Sequence, residues 1–143
     1  MQHIETEILI NASPEKVWTV LTDFERYPTW NPFIKSINGE KGLGKQLKVS
    51  IQPPDGTGMT FKPKVLAFDA NKEFRWKGKL FFKGIFDGEH YFRLTDAGNG
   101  TTRFSHGEKF SGFLVALMGG TLDKTKVGFE LMNEALKWEC ERV

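Results

Sequence analysis

A chain of 143 residues with 39% hydrophobic and 27% charged side chains has the size and composition of one soluble globular domain spanning 1–143, which excludes a disordered or fibrous protein. A net charge of +2, with lysines scattered rather than clustered, excludes the basic stripe of a nucleic-acid binder. One cysteine, Cys140, excludes an intrachain disulfide and fits a reducing compartment.

The N-terminus, MQHIETEILI, lacks the basic start and apolar block of a signal peptide, so a cytoplasmic protein is expected. Within it Ile4, Thr6, Ile8 and Ile10 alternate with His3, Glu5, Glu7 and Leu9, which predicts a strand. In NASPEKVWTVL, Ser13 is suited to cap a helix and Pro14 to its first position, so a helix is predicted over about 14–21. Asp23 is suited to start a second short helix, limited by Pro28 and Pro32.

Turn signals then recur at Asn38-Gly39, 42–44, 53–58, 69–71, Lys83-Gly84 and 96–100. Between them lie alternating runs. Leu47, Val49 and Ile51 share one face, and Met59, Phe61, Pro63 and Val65 share another. Phe74, Trp76, Gly78 and Leu80 follow, then Phe86, Gly88, His90, Phe92 and Leu94, then Phe104, His106, Glu108 and Phe110. Such spacing predicts an antiparallel sheet. The period changes at the end: Met118, Leu122, Thr125, Phe129, Met132, Leu136 and Cys140 recur every three or four residues. That predicts one long helix, with Thr121 as its cap and Gly119-Gly120 as the break before it. The longest apolar run, 113–118, is far short of the roughly 20 residues of a membrane-spanning helix. One long helix against about six to seven strands is an α+β arrangement.

RFSHGEKF, residues 103–110, poses the functional question. The face that carries Phe104 and Phe110 also carries His106 and Glu108. An isolated ionised carboxylate is very unfavourable in a filled apolar core. If Thr95 pairs with Thr101, His90 lies opposite His106; a slip of two residues places it opposite Glu108. In either register the three side chains share one face.

ASPEKVWTVLTDFERYPTWNPFI, residues 12–34, and GIFDGEHYFRLTDAGNGTTRFSHGEKFSGFL, residues 84–114, resemble the START-like, or SRPBCC, superfamily, in its polyketide cyclase/dehydratase-like branch. The resemblance covers the whole chain in order. It implies a helix-grip fold, in which a curved antiparallel sheet wraps a long C-terminal helix and encloses a deep, mostly apolar cavity. It also implies a small hydrophobic ligand of lipid, sterol or polyketide type, with no cofactor. Monomer and homodimer both remain open.

A cavity makes the polar cluster tolerable. His90, His106 and Glu108 are then the candidate anchors for a ligand's polar end, and Met59, Phe61, Trp76, Phe92, Phe104, Phe129 and Met132 the candidate walls. His90 and Glu108 could equally form a structural pair, or move a proton in a cyclase/dehydratase-type reaction. No nucleophile is evident, and an enzyme is less expected than a binder. Two histidines and a carboxylate match a facial metal triad in composition only, and no metal is expected. Phe81, Phe82, Ile85 and 113–118 are placed at the cavity mouth or lid, folded inward as a small satellite cluster, or at a protein or membrane contact. An interaction module like the chaperone-ATPase activators is the third reading.

Overall fold

The computed structural model describes residues 2–54, 58–80, 86–111 and 119–142. Its elements in chain order are β1 (Gln2–Ile10), α1 (Pro14–Thr22), a 3-10 turn (Phe24–Arg26), α2 (Tyr27–Trp30), β2 (Ile34–Asn38), β3 (Lys48–Ile51), β4 (Met59–Phe61), β5 (Lys64–Asp69), β6 (Glu73–Leu80), β7 (Phe86–Gly98), β8 (Thr101–Ser111) and α3 (Gly119–Glu141). The mouth residues Phe81, Phe82, Ile85 and 113–118 lie outside the described set.

Local chemistry accounts for the first helix. Ser13 has extended backbone and its Oγ accepts from the Lys16 N–H at 3.2 Å, while Pro14 occupies the first turn, where no N–H is required. Val17, Trp18 and Leu21 form its buried side. Asp23 precedes the 3-10 turn as expected, but its side chain makes no capping bond.

The strands form two antiparallel sheets. One has the order β1-β8-β7-β6-β5 and the other β2-β3-β4. The run expected as one strand from Met59 to Val65 is divided between them. Pro63 has no N–H for a ladder, and β4 ends at Phe61 while β5 starts at Lys64. The Pro63 carbonyl instead accepts from the Leu47 N–H at 2.8 Å, and Val65 N–H donates to the Lys45 carbonyl at 2.8 Å. These bonds tie the two sheets together at their junction.

The long helix begins at Gly119, so Gly119-Gly120 and Thr121 lie inside its first turn rather than before it. The expected stripe is otherwise found: Thr125, Phe129, Met132, Leu136 and Cys140 are buried and Leu122 is half-buried. α3 packs chiefly on β1 and runs with it, as Asn133 meets Thr6, Lys137 the Leu9 carbonyl and Glu141 the Asn11 N–H. Among the described residues, no helix is long and apolar enough to cross a membrane.

The β7–β8 hairpin sets the register that matters for the site. Its turn has positive φ at Gly98 (90°), Asn99 (55°) and Gly100 (74°), and a bulge falls between Asp96 and Gly98. Thr95 therefore pairs with Arg103, and His90 with Glu108. Of the two registers left open by the sequence, this is the slipped one.

Candidate functional site

Strand pairing arranges the inner face of the large sheet in rows. One row reads Trp76, His90, Glu108, Ile4 across β6, β7, β8 and β1; the next reads Phe74, Phe92, His106, Thr6. On the other side lies the row Gly78, Gly88, Phe110. The polar residues therefore sit between rows of rings, with α3 above them.

Each polar atom of the cluster can be followed proton by proton. Thr6 Oγ1 donates to the His106 carbonyl at 2.9 Å. Asn133 Nδ2 donates to Thr6 Oγ1 at 2.8 Å, which turns Asn133 Oδ1 toward His106 Nδ1 at 2.9 Å. The His106 proton therefore sits on Nδ1. A neutral His106 presents a lone pair at Nε2, and His90 Nε2 donates to it at 2.7 Å. A neutral His90 then presents a lone pair at Nδ1, 3.2 Å from Glu108 Oε1. Only a protonated carboxyl can donate there.

The electrostatics agree with that accounting. Burial pushes His90 down to about 3 from 6.5. Burial, with the neighbouring His90 second, holds His106 well below the ordinary imidazole range. Burial raises Glu108 from 4.5 to about 8. The alternative, an imidazolium facing a carboxylate, would require two charges in an apolar interior. The contact between His90 and Glu108 is thus a neutral hydrogen bond with the form of a salt bridge.

Packing holds the imidazoles still. His106 stacks on Phe129 with centroids 4.1 Å apart and planes at 11°. His90 lies between Trp76 (4.8 Å) and Phe129 (4.9 Å). Gly88 makes room for the carboxyl, because a Cβ there would collide with Glu108 Oε2. Glu108 keeps 15% of its side chain exposed, whereas His90 keeps 4%. Among the described residues, Oε2 has no hydrogen-bond partner.

The structure brings together His90, His106, Glu108, Trp76, Phe92 and Phe129, and Phe104 joins through ring contacts with Phe92 and His106. Met132 is fully buried on α3. Phe61 reaches the cluster's edge from the small sheet: its ring lies 3.0 Å from where a Gly78 Cβ would stand. Met59, on the same short strand, is 36% exposed. Phe33 is a buried wedge against Phe129, and Trp30 packs on Tyr27.

Asn133 and Thr6 complete the cluster and are not singled out by sequence. Their signal is a polar residue interrupting an apolar stripe, Thr6 between Ile4 and Ile8 and Asn133 beside Met132. The two imidazoles spend their facing nitrogens on each other rather than converging on a common point. Among the described residues, no three His, Cys, Asp or Glu side chains group as metal ligands. A separate surface groove of about 340 Å³, lined by Thr29, Trp30, Ala135, Trp138 and Glu139, shares no residue with the cluster.

Comparison with known proteins places this arrangement. A family model described as polyketide cyclase / dehydrase and lipid transport matches residues 1–141. The fold is similar to that of the Zhui aromatase/cyclase from a Streptomyces species, with a TM-score of 0.79 at 16% identity over 99% of this chain and 94% of that one. It is also similar to a START superfamily protein from Mycobacterium smegmatis, with a TM-score of 0.77 at 20% identity over 97% of each chain. A third similar structure is a norcoclaurine synthase point mutant from Thalictrum flavum in complex with a transition-state analogue, with a TM-score of 0.73 at 13% identity over 97% of this chain and 93% of that one. At these identities the likeness shows the shared fold, the START-like helix-grip. No curated protein matches the sequence.

Proposed function

The chain belongs to the polyketide cyclase / dehydrase and lipid transport family, and on that premise we propose that it binds a small hydrophobic molecule against the inner face of the large sheet. The polar end of the ligand is held at Glu108, with His90 and His106 orienting the carboxyl. Phe61, Trp76, Phe92, Phe104, Phe129, Met132 and, at the rim, Met59 supply the apolar walls. One observation carries this reading. Every polar atom along the chain from Thr6 to Glu108 Oε1 is satisfied internally, and the chain ends on a carboxyl oxygen with no partner among the described residues. A purely structural network would be expected to close; among the described residues this one ends on an open acceptor.

The reading includes a single soluble domain of the cytoplasm, acting as monomer or homodimer and taking no nucleic acid. It draws on the small net charge and on the single cysteine, which is buried.

Native mass spectrometry of the freshly purified protein tests the proposal. The expected spectrum carries an added mass of a few hundred daltons that is lost in Glu108→Leu while the far-UV circular dichroism is unchanged. A bare mass, or an adduct indifferent to Glu108→Leu, would remove Glu108 as the anchor.

A second reading has its own support. The hydrogen bond between the Glu108 carboxyl and His90 Nδ1 holds one proton between two groups of matched geometry, as an acid–base pair for cyclisation or dehydration requires. It calls for turnover that His90→Ala abolishes without loss of binding.

A further inference from the structure

Resting on the binding reading above, we infer that the ligand is a neutral hydroxylated molecule, whose oxygens donate a proton to Glu108 Oε2 and accept one from the indole N–H of Trp76, and that the site discriminates against carboxylates.

Trp76 supplies the observation. It is 1% exposed, and its Nε1 is a buried donor with no partner among the described residues. A buried N–H normally finds an acceptor, and one left without calls for an explanation. The other such atom, Asn31 Nδ2, belongs to a side chain whose Oδ1 already caps the Phe33 and Ile34 N–H groups at 2.9 and 2.8 Å. Trp76 has no second polar atom to give it such a role.

The indole cannot turn freely to find an acceptor. Its ring is stacked on His90 and meets Phe74 and Phe92 edge-on at 5.3 and 5.4 Å. Trp76 also lies in the same row as His90 and Glu108, so the two residues that carry these atoms flank His90 from the strands on either side of β7. In the neighbouring row the space left by Gly88 is taken by Glu108 Oε2 itself and that left by Gly78 by the Phe61 ring, so the carboxyl oxygen and an apolar wall sit side by side. A ligand whose oxygens reach these two atoms meets one donor and one acceptor.

Charge selection follows from what surrounds them. Among the described inner-face residues of β1, β6, β7 and β8 there is no lysine or arginine. A ligand carboxylate would find no counter-ion on that face and would face the lone pairs of Oε2. A hydroxyl satisfies both protein groups without bringing charge into the interior.

The test compares 2-naphthol with 2-naphthoate, which share one ring system and differ in charge at pH 7. Affinities come from calorimetry, and the indole N–H signals from proton–nitrogen NMR, with the Trp76 signal identified by its loss in Trp76→Phe. Naphthol is expected to bind at least about tenfold more tightly than naphthoate, as loss of one buried hydrogen bond to an unpaired partner implies. The Trp76 indole proton should move downfield on saturation. Naphthoate binding as tightly as naphthol overturns the inference and leaves the binding reading standing. An indole proton unmoved by bound naphthol also overturns it, and assigns the N–H to a trapped water. Binding of neither probe removes the binding reading and this inference with it. If Trp76→Phe fails to fold, the affinity ratio on the unmodified protein still decides.

Discussion

Replacing Glu108 with glutamine separates the carboxyl's hydrogen bond from its ability to ionise. The glutamine amide N–H can donate to His90 Nδ1 as the protonated acid does, and the amide oxygen can take the place of Oε2. What disappears is the cost of keeping a proton on a group that loses it at 4.5 when unfolded and at about 8 when folded. Glu108→Gln should therefore be more stable than the parent by about 4 kcal/mol at pH 7.5, which lies three pH units above the unfolded value, since each pH unit corresponds to about 1.4 kcal/mol. At pH 4 the carboxyl is protonated in both states, and the two proteins should unfold at the same urea concentration. A variant that is instead less stable at pH 7.5 would mean that Glu108 is ionised in the fold and paired with an imidazolium.

Gly128 shows how tightly the elements over the site are packed. It lies within α3, where glycine costs about 1 kcal/mol relative to alanine. Its missing side chain admits Phe33, whose Cδ1 would be 2.5 Å from a Cβ at that position. Phe33 is fully buried and meets Phe129, the ring that stacks on His106. Gly128→Ala should thus lower stability by about 1–3 kcal/mol despite the better helix former, because a filled core resists added volume. Thermal melts should show that loss, and Phe33→Leu in the same chain should recover part of it. An unchanged melting temperature would mean that Phe33 has room to move.

At this scale the sequence is informative wherever structure follows a local period. The alternation through Phe104, His106, Glu108 and Phe110 and the stripe through Phe129, Met132, Leu136 and Cys140 each describe one buried face, and both faces are found. Register is not a local property. Two pairings kept the apolar residues inward, and the choice fell to a bulge at Asp96/Gly98 and to three residues of positive φ. Pro63 divides a run whose alternation continues across it, because the period records side chains and the break concerns a missing N–H. Asn133 and Thr6 stay hidden for a related reason. Each is one polar residue in an apolar stripe, and its meaning depends on a partner 127 residues away. The family resemblance carried the helix-grip, which element order alone left at α+β.

The stability of the whole molecule should reflect the same buried cluster as a maximum near pH 6.5. From about 6.5 to 8 the two imidazoles are neutral folded and unfolded, while Glu108 keeps its proton only when folded. The folded state then holds one proton more than the unfolded state, so stability falls as pH rises, by about 1.4 kcal/mol per pH unit. This is the raised-pKa case, in which the favourable contribution is complete below 4.5 and is lost as pH passes about 8. His90 and His106 act in the opposite sense. Their depressed values give a contribution complete above 6.5 and lost as the pH falls toward about 3 for His90. Between 4.5 and 6.5 the unfolded chain gains two protons that the folded imidazoles refuse, against the one that Glu108 retains, so stability rises with pH. Below 4.5 the imidazoles act unopposed. Glu73 adds to that acid limb, since hydrogen bonds from Arg75 and Arg93 outweigh its partial burial and hold it low. Chemical denaturation from pH 4 to 9 should trace a peak near 6.5 with a steeper acid side. A flat profile between 6.5 and 8 would instead mean that the His90–Glu108 pair retains no extra proton on folding, leaving a carboxylate at Glu108 that accepts from a neutral His90.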